Sequence, residues 1–199
     1  ITDQATLEVV SMVYAGRINK KIVALLQQND VNAIGLSGAD GGSIVAHKRP
    51  VDKIDFGLVG DVEKVNGELI RLLVENKITP VFCPLSYSPD HGILNTNADT
   101  IAAEVAKAMV SYFDVNLTYC FEKKGVLENL EHENSVIPEI NILHYEKLKN
   151  EGKILFQATP IKLLISIYKL QGNYAKALEL NNKLDLSSRI CQTIIIYLE

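Results

Sequence analysis

Short apolar runs and segments of helical period follow one another along most of this chain with brief connections, and no other property narrows its fold so far. GRINKKIVALLQQNDV places Ile18, Ile22, Leu25 and Leu26 at helical spacing, then runs into NAIGLSGADGG, a short apolar run that closes in glycines. GELIRLLVENK repeats the helical pattern, with Leu69, Leu72 and Leu73 expected on its buried side. ITPVFCPLSY follows as a nearly continuous apolar run, which is what a strand buried on both faces requires. A long helix is expected over 98–113, with Ala98, Ala102, Val105, Ala106 and Met109 along one stripe, and DVNLTYCFEKKGVL reads as a further strand leading into a turn. This alternation predicts an α/β fold, with an open, mostly parallel sheet and helices on both faces.

The flanking segments are consistent with that plan. TDQATLEVVSMV carries a cap-like Thr2 or Asp3 before a helix with Leu7, Val10 and Val13 on one face. Residues 43–62, with Pro50, Gly57 and Gly60, predict a hairpin or flap. Beyond about Glu131, ENSVIPEIN reads as loop and ILHYEKLKNEG as an exposed helix. One or two more helices are expected over ATPIKLLISIYKLQGNYAKALELNNKL, with TIIIYLE as a closing strand.

Composition bounds the function. The chain has 199 residues, 47% of them apolar, enough for one full core. A net charge of −4 with scattered basic residues gives no electrostatic footprint for nucleic acid or an anionic membrane surface, so small-molecule or protein partners are expected. No apolar stretch approaches the roughly 20 residues needed to cross a bilayer. Cys83 and Cys120 sit in apolar runs and Cys191 lies far from both, which suits reduced thiols and a cytoplasmic location.

Three polar places follow strands, where helix N-termini offer free amide donors and the positive end of a dipole. The loop GLSGADGG fits no Walker pattern, because no Gly-Lys-Ser/Thr follows, and reads as a structural turn. In LNTNAD, Thr96 or Asn97 can cap the next helix and Asp99 favours its dipole. That leaves Asn95 over. Two readings stay open there: a cap and nothing more, or a site where Asn95 binds a carboxylate or amide while Asp99 steadies lysine ammonium groups beside a transferring phosphoryl group. The third place is the turn CFEKKG, whose Lys123 and Lys124 read as a solvated pair or as phosphate contacts. His47, His91, His132 and His144 show no metal-ligand spacing and read as surface residues, and no Ser-His-Asp or Cys-His arrangement emerges.

Taken in order, ITDQATLEVVSMVYAGRINKKIVALL, NAIGLSGADGG, DFGLVGDV, ITPVFCPL, LNTNADTIAAEVAKAM and KKGVL resemble the acetylglutamate kinases of the amino-acid kinase superfamily, in wording closest to the Bacteroidetes-like branch. The resemblance covers about residues 1–157. It implies phosphorylation of the γ-carboxylate of N-acetyl-L-glutamate, or N-succinyl-L-glutamate, with ATP and Mg²⁺ in arginine biosynthesis, by a homodimer or higher homo-oligomer. It assigns Asn95 and Asn97 to the substrate, Asp99 and Lys162 to catalysis, and Glu122, Lys124, Gly125 and Phe156 to the nucleotide, with no metal held by protein side chains alone. It also divides the chain into an acylglutamate-binding part, 1–115, and a nucleotide-binding part with a divergent tail, 116–199.

Two departures accompany the resemblance. The nucleotide turn reads EKKG where the family often has Asp-x-x-Gly, and QATPIKLL stands where Gly-Met-Ile-x-Lys is usual, so that only the Ile-Lys pair at Lys162 matches. The chain opens on Ile1, and the family's Lys-x-Gly-Gly strand, second glycine loop and substrate-binding Arg would all lie upstream, so an N-terminally truncated chain that is a poor catalyst by itself is expected. Two competing readings remain: another amino-acid kinase acting on carbamate, glutamate or a nucleotide monophosphate, and a non-catalytic remnant or acylglutamate-binding module of the same fold.

Overall fold

The first helix starts where its cap allows. Asp3, not Thr2, is the cap of α1 (Gln4–Ser11), its carboxylate accepting from the Thr6 amide at 2.7 Å. The helix passes through a π-helical stretch, Met12–Ile18, into α2 (Asn19–Gln28). The wider π turn alters the angular phase of the apolar face. Leu7 is buried and Val10 half-buried, but Val13 is exposed. A computed structural model describes residues 1–120, 126–129, 131, 132, 134–138, 140, 144, 147, 148, 150, 151 and 193–198.

The chain divides into two compact units, Ile1–Asp114 and Val115–Glu199. In the first, β1 (Ala33–Leu36) pairs in parallel with β4 (Thr79–Phe82), from Ala33 opposite Thr79 to Leu36 opposite Phe82. Helix α2 packs on both strands. Its buried Asn19 donates from Nδ2 to the Val81 carbonyl at 2.7 Å, and the Lys20 ammonium donates to the Gly35 carbonyl at 3.2 Å. A Cβ on Gly35 would lie 1.8 Å from Asn19 Oδ1, so this close approach of helix to strand requires glycine.

A second sheet has four strands, in the order Gly60–Val65, Ile44–Lys48, Leu85–Ser88 and Gly92–Asn95. The expected hairpin is present as β2 (Ile44–Lys48) antiparallel to β3 (Gly60–Val65). Strand β5 (Leu85–Ser88) runs parallel to β2 and antiparallel to β6 (Gly92–Asn95). The parallel pairs β1–β4 and β2–β5 thus form a frame to which antiparallel neighbours are added, and the architecture is α/β. Leu7, Cys83 and Leu85 form a core cluster with Val10, Tyr14 and Leu58 packed against it. Burial pushes the Cys83 thiol up to about 11, as a structural thiol requires.

Two expectations need correction. ITPVFCPLSY is not one strand buried on both faces: Pro84 supplies no N–H, and the chain breaks there into β4 and β5, which belong to different sheets. In α3 (Gly67–Glu75), capped by Asn66, the buried residue is Ile70 and Leu72 is exposed. Helix α4 (Ala98–Met109) buries a wider face than the expected stripe, adding Ile101 and Ala103 to Ala102, Val105, Ala106 and Met109, because it packs on both β3 and α3.

In the second unit, β7 (Val115–Cys120) pairs antiparallel with β8 (Thr193–Leu198), the expected closing strand. Leu127 bridges to Val136, and Leu148 is buried. Among the described residues no helix is long and apolar enough to cross a membrane.

Candidate functional site

The segment LNTNAD spans the last residues of β6 and the opening of α4, and each of its polar residues meets a different fate. Asn95 is held at the end of β6 by pairing opposite Leu85, and its amide N–H donates to the Leu58 carbonyl at 3.0 Å. Its side chain is half-buried and donates from Nδ2 to Thr2 Oγ1 at 3.1 Å. Thr96 turns inward: its buried hydroxyl lies 2.6 Å from that of Ser86 and donates to the Gly60 carbonyl at 3.4 Å. A Cβ on Gly60 would come within 2.7 Å of Ser86 Oγ and 2.9 Å of Thr96 Oγ1, so glycine makes room for this polar trio.

Asn97 is the helix cap. Its backbone is extended, with φ −62° and ψ 128°, and its Oδ1 accepts from the Thr100 amide at 3.0 Å. Asp99 follows in the first turn, where the helix dipole would favour its charge. Partial burial nevertheless raises the Asp99 carboxyl above its ordinary range, because desolvation disfavours the charged form. The surplus residue Asn95 and the first-turn Asp99 are therefore carried by two adjoining elements, with the cap between them.

The glycine loop has a different character. Asp40 Oδ2 accepts from the Ser37 amide at 2.6 Å and from the Ser37 hydroxyl at 2.8 Å, and the Ser43 hydroxyl donates to the Ser37 carbonyl at 2.9 Å. Gly41 and Gly42 have φ of +59° and +57°. Its polar side chains satisfy one another, while its backbone is tied to Leu85 through the Gly38 amide at 2.7 Å and to Asn66 through the Gly41 and Ser43 carbonyls, as in the expected structural turn.

Lys162, Glu122, Lys124, Gly125 and Phe156 fall outside the described residues. Among the described residues no group of three or more His, Cys, Asp or Glu could hold a metal ion. Asp99 by itself makes no magnesium site, and a metal delivered with a nucleotide would depend on the nucleotide's own oxygens. A groove of about 460 Å³ between α1 and the β5–β6 turn is lined by Gln4, Leu7, Glu8, Met12, His91 and Ile93, among others, and includes neither Asn95 nor Asp99. Sequence reasoning missed Thr2 and Leu58 as partners of Asn95, since both lie far from it in the chain and neither carries a local signal.

Comparison with known proteins gives a consistent result. Over 154 residues, 77% of its length, the chain is 53% identical to acetylglutamate kinase of Bacteroides thetaiotaomicron and 52% identical to that of Bacteroides fragilis. It spans 60% and 59% of those proteins. The crystal structure of smu.665 from Streptococcus mutans UA159 superposes with a TM-score of 0.62 at 26% identity, over 77% of this chain and 59% of that one. The model of the amino acid kinase family matches residues 1–166, and the chain belongs to that family.

Proposed function

We propose that the protein is an acetylglutamate kinase, phosphorylating the γ-carboxylate of N-acetyl-L-glutamate, or its N-succinyl counterpart, with MgATP in cytoplasmic arginine biosynthesis. The observation that carries this reading is the placement of Asn95 at the end of β6 and Asp99 in the first turn of α4, in a chain 53% identical to a protein of that name. Asn95 would align the acceptor through its side-chain amide, with Asn97 flanking it. Asp99 would orient lysine ammonium groups, Lys162 among them, against the transferring phosphoryl group. Glu122, Lys124, Gly125 and Phe156 would contact the nucleotide, so that residues 1–115 bind acylglutamate and 116–199 bind ATP, in a homodimer or higher homo-oligomer.

Phosphoryl transfer requires little covalent chemistry from the protein, and positioning and electrostatic stabilisation dominate. Magnesium, arriving with ATP, would supply neutralisation of charge on the phosphates. The chain's own share is to hold the acceptor, exclude its rotation and keep one carboxylate beside the lysines.

The test combines calorimetric titration with N-acetyl-L-glutamate and ADP release in the presence of MgATP. Saturable binding that requires the acyl group, with slow acylglutamate-dependent ADP release, is the expected result. Binding without ADP release would point instead to a non-catalytic acylglutamate-binding module. Absence of both overturns the reading, and parallel titrations with N-succinyl-L-glutamate and L-glutamate decide the acyl preference.

A further inference from the structure

We propose that Thr2 is a positioning residue that sets the side-chain amide of Asn95 for its ligand; the inference rests on the reading of Asn95 as a substrate contact. Thr2 is only 6% exposed and clamped on both sides of its peptide. Its N–H donates to the Phe56 carbonyl at 2.9 Å, and its carbonyl accepts from the Leu58 amide at 2.7 Å. Between them Gly57 has φ +75°, and a Cβ there would lie 2.3 Å from the Thr2 carbonyl oxygen, so the approach is set by glycine.

Leu58 registers the two residues against each other. Its N–H serves the Thr2 carbonyl while its own carbonyl accepts from the Asn95 amide at 3.0 Å. The connection behind it is braced as well. Arg49 pairs with Asp61 at 2.6 Å, and its guanidinium lies 5.3 Å from the centre of the Phe56 ring. Backbone bonds thus fix the Cα atoms of both Thr2 and Asn95, and the 3.1 Å side-chain bond closes the arrangement across 93 residues of sequence.

The chemical consequence concerns one torsion. An asparagine amide rotates about a broad, roughly two-fold χ2 profile, so an unrestrained side chain presents its oxygen and nitrogen in either sense. The bond from Nδ2 to Thr2 Oγ1 holds the amide plane, in the sense the structure shows. The carbonyl oxygen and the second N–H are then left in a defined plane, and a ligand need not restrict that rotation when it binds.

The experiment uses the full chain and N-acetyl-L-glutamate as probe. Thr2→Val keeps the branched shape and removes the hydroxyl; it is expected to weaken binding about fivefold, the scale of one neutral hydrogen bond. Thr2→Ser should recover most of that loss. In an Asn95→Ala background Thr2→Val should change affinity no further, whereas a merely structural role would cost the same in both backgrounds. A ligand-free readout accompanies these: the Asn95 side-chain amide resonance should shift in Thr2→Val and stay near its original position in Thr2→Ser. An unmoved resonance, or undiminished affinity in Thr2→Val, overturns the proposal. A parent chain that binds no N-acetyl-L-glutamate, even with the resonance shift present, would instead sink the reading of Asn95 as a substrate contact, and the inference with it.

Discussion

The loop 37–43 and the segment 95–99 look alike on paper: each follows a short strand, and each is rich in small polar residues. Their hydrogen bonds differ in kind. In the loop, Ser37, Asp40 and Ser43 bond among themselves within seven consecutive residues. In the segment, Thr96 is committed inward and Asn97 to the cap, while Asn95 reaches across the fold to Thr2 and Asp99 bears a desolvation cost. Polar composition at a strand end is therefore a poor guide to a site. The loop backbone is also tied to Leu85 and Asn66, so it is accounting of side-chain donors and acceptors that separates a turn whose side chains close on one another from a segment whose Asn95 is held by a distant residue.

The largest expected effect tests the segment. Asp99→Ala should lower kcat on the order of 10²–10³-fold, the scale of losing one organised electrostatic contact, while the acylglutamate dissociation constant changes little. Steady-state ADP release beside calorimetry measures both, and full turnover in the variant would remove the proposed contrast with the loop.

The loop should respond in stability instead. A Cβ on Gly38 would lie 2.5 Å from the Ile44 carbonyl and 2.6 Å from the Ser86 Cα, both backbone atoms that cannot swing aside. Gly38→Ala is therefore expected to cost about 1–3 kcal/mol by overpacking, read as a lower midpoint in urea unfolding. An unchanged midpoint would show that the loop is less tightly closed than its hydrogen bonds indicate.

A paired comparison sharpens the point. Asn95→Ala should weaken N-acetyl-L-glutamate binding about tenfold, within the range for a hydrogen bond to a charged group, with a small change in stability. Asp40→Ala should cost about 1 kcal/mol of stability by releasing the Ser37 donors and leave the affinity as it was. Equal losses of affinity in the two variants would place the loop in the site.

The smallest effect is a pH dependence. Because burial raises the Asp99 carboxyl, its contribution is most favourable when protonated, below the unfolded value, and is lost as pH rises through the raised folded value. Asp99→Asn should therefore be somewhat more stable than the parent at neutral pH and equal to it in acid, as thermal midpoints across the carboxylate range would show. A constant difference at all pH values would assign the effect to packing.

Much of this molecule was legible in advance, and the failures have physical causes. The α/β alternation, the hairpin over 43–62, the closing strand at TIIIYLE and the apolar face of α4 follow from periodicity. Asn97 as cap and Asp99 in the first turn follow from helix-end chemistry. ITPVFCPLSY reads as one strand because its apolarity masks the missing donor of Pro84, and Leu72 reads as buried because the α3 face depends on what α4 covers.

What the sequence determined by itself are features that act over a few residues: helical period, cap, turn and the place of a surplus asparagine. The tertiary structure alone decided that Asn95 meets Thr2, that Leu58 registers the two, that Gly35 and Gly38 admit neighbours too close for a Cβ, and that Asp99 is partly withdrawn from water. Such outcomes depend on which remote segments converge at a point. Hydrogen bonding, close approach and desolvation are properties of that convergence, and no local stretch of residues carries them.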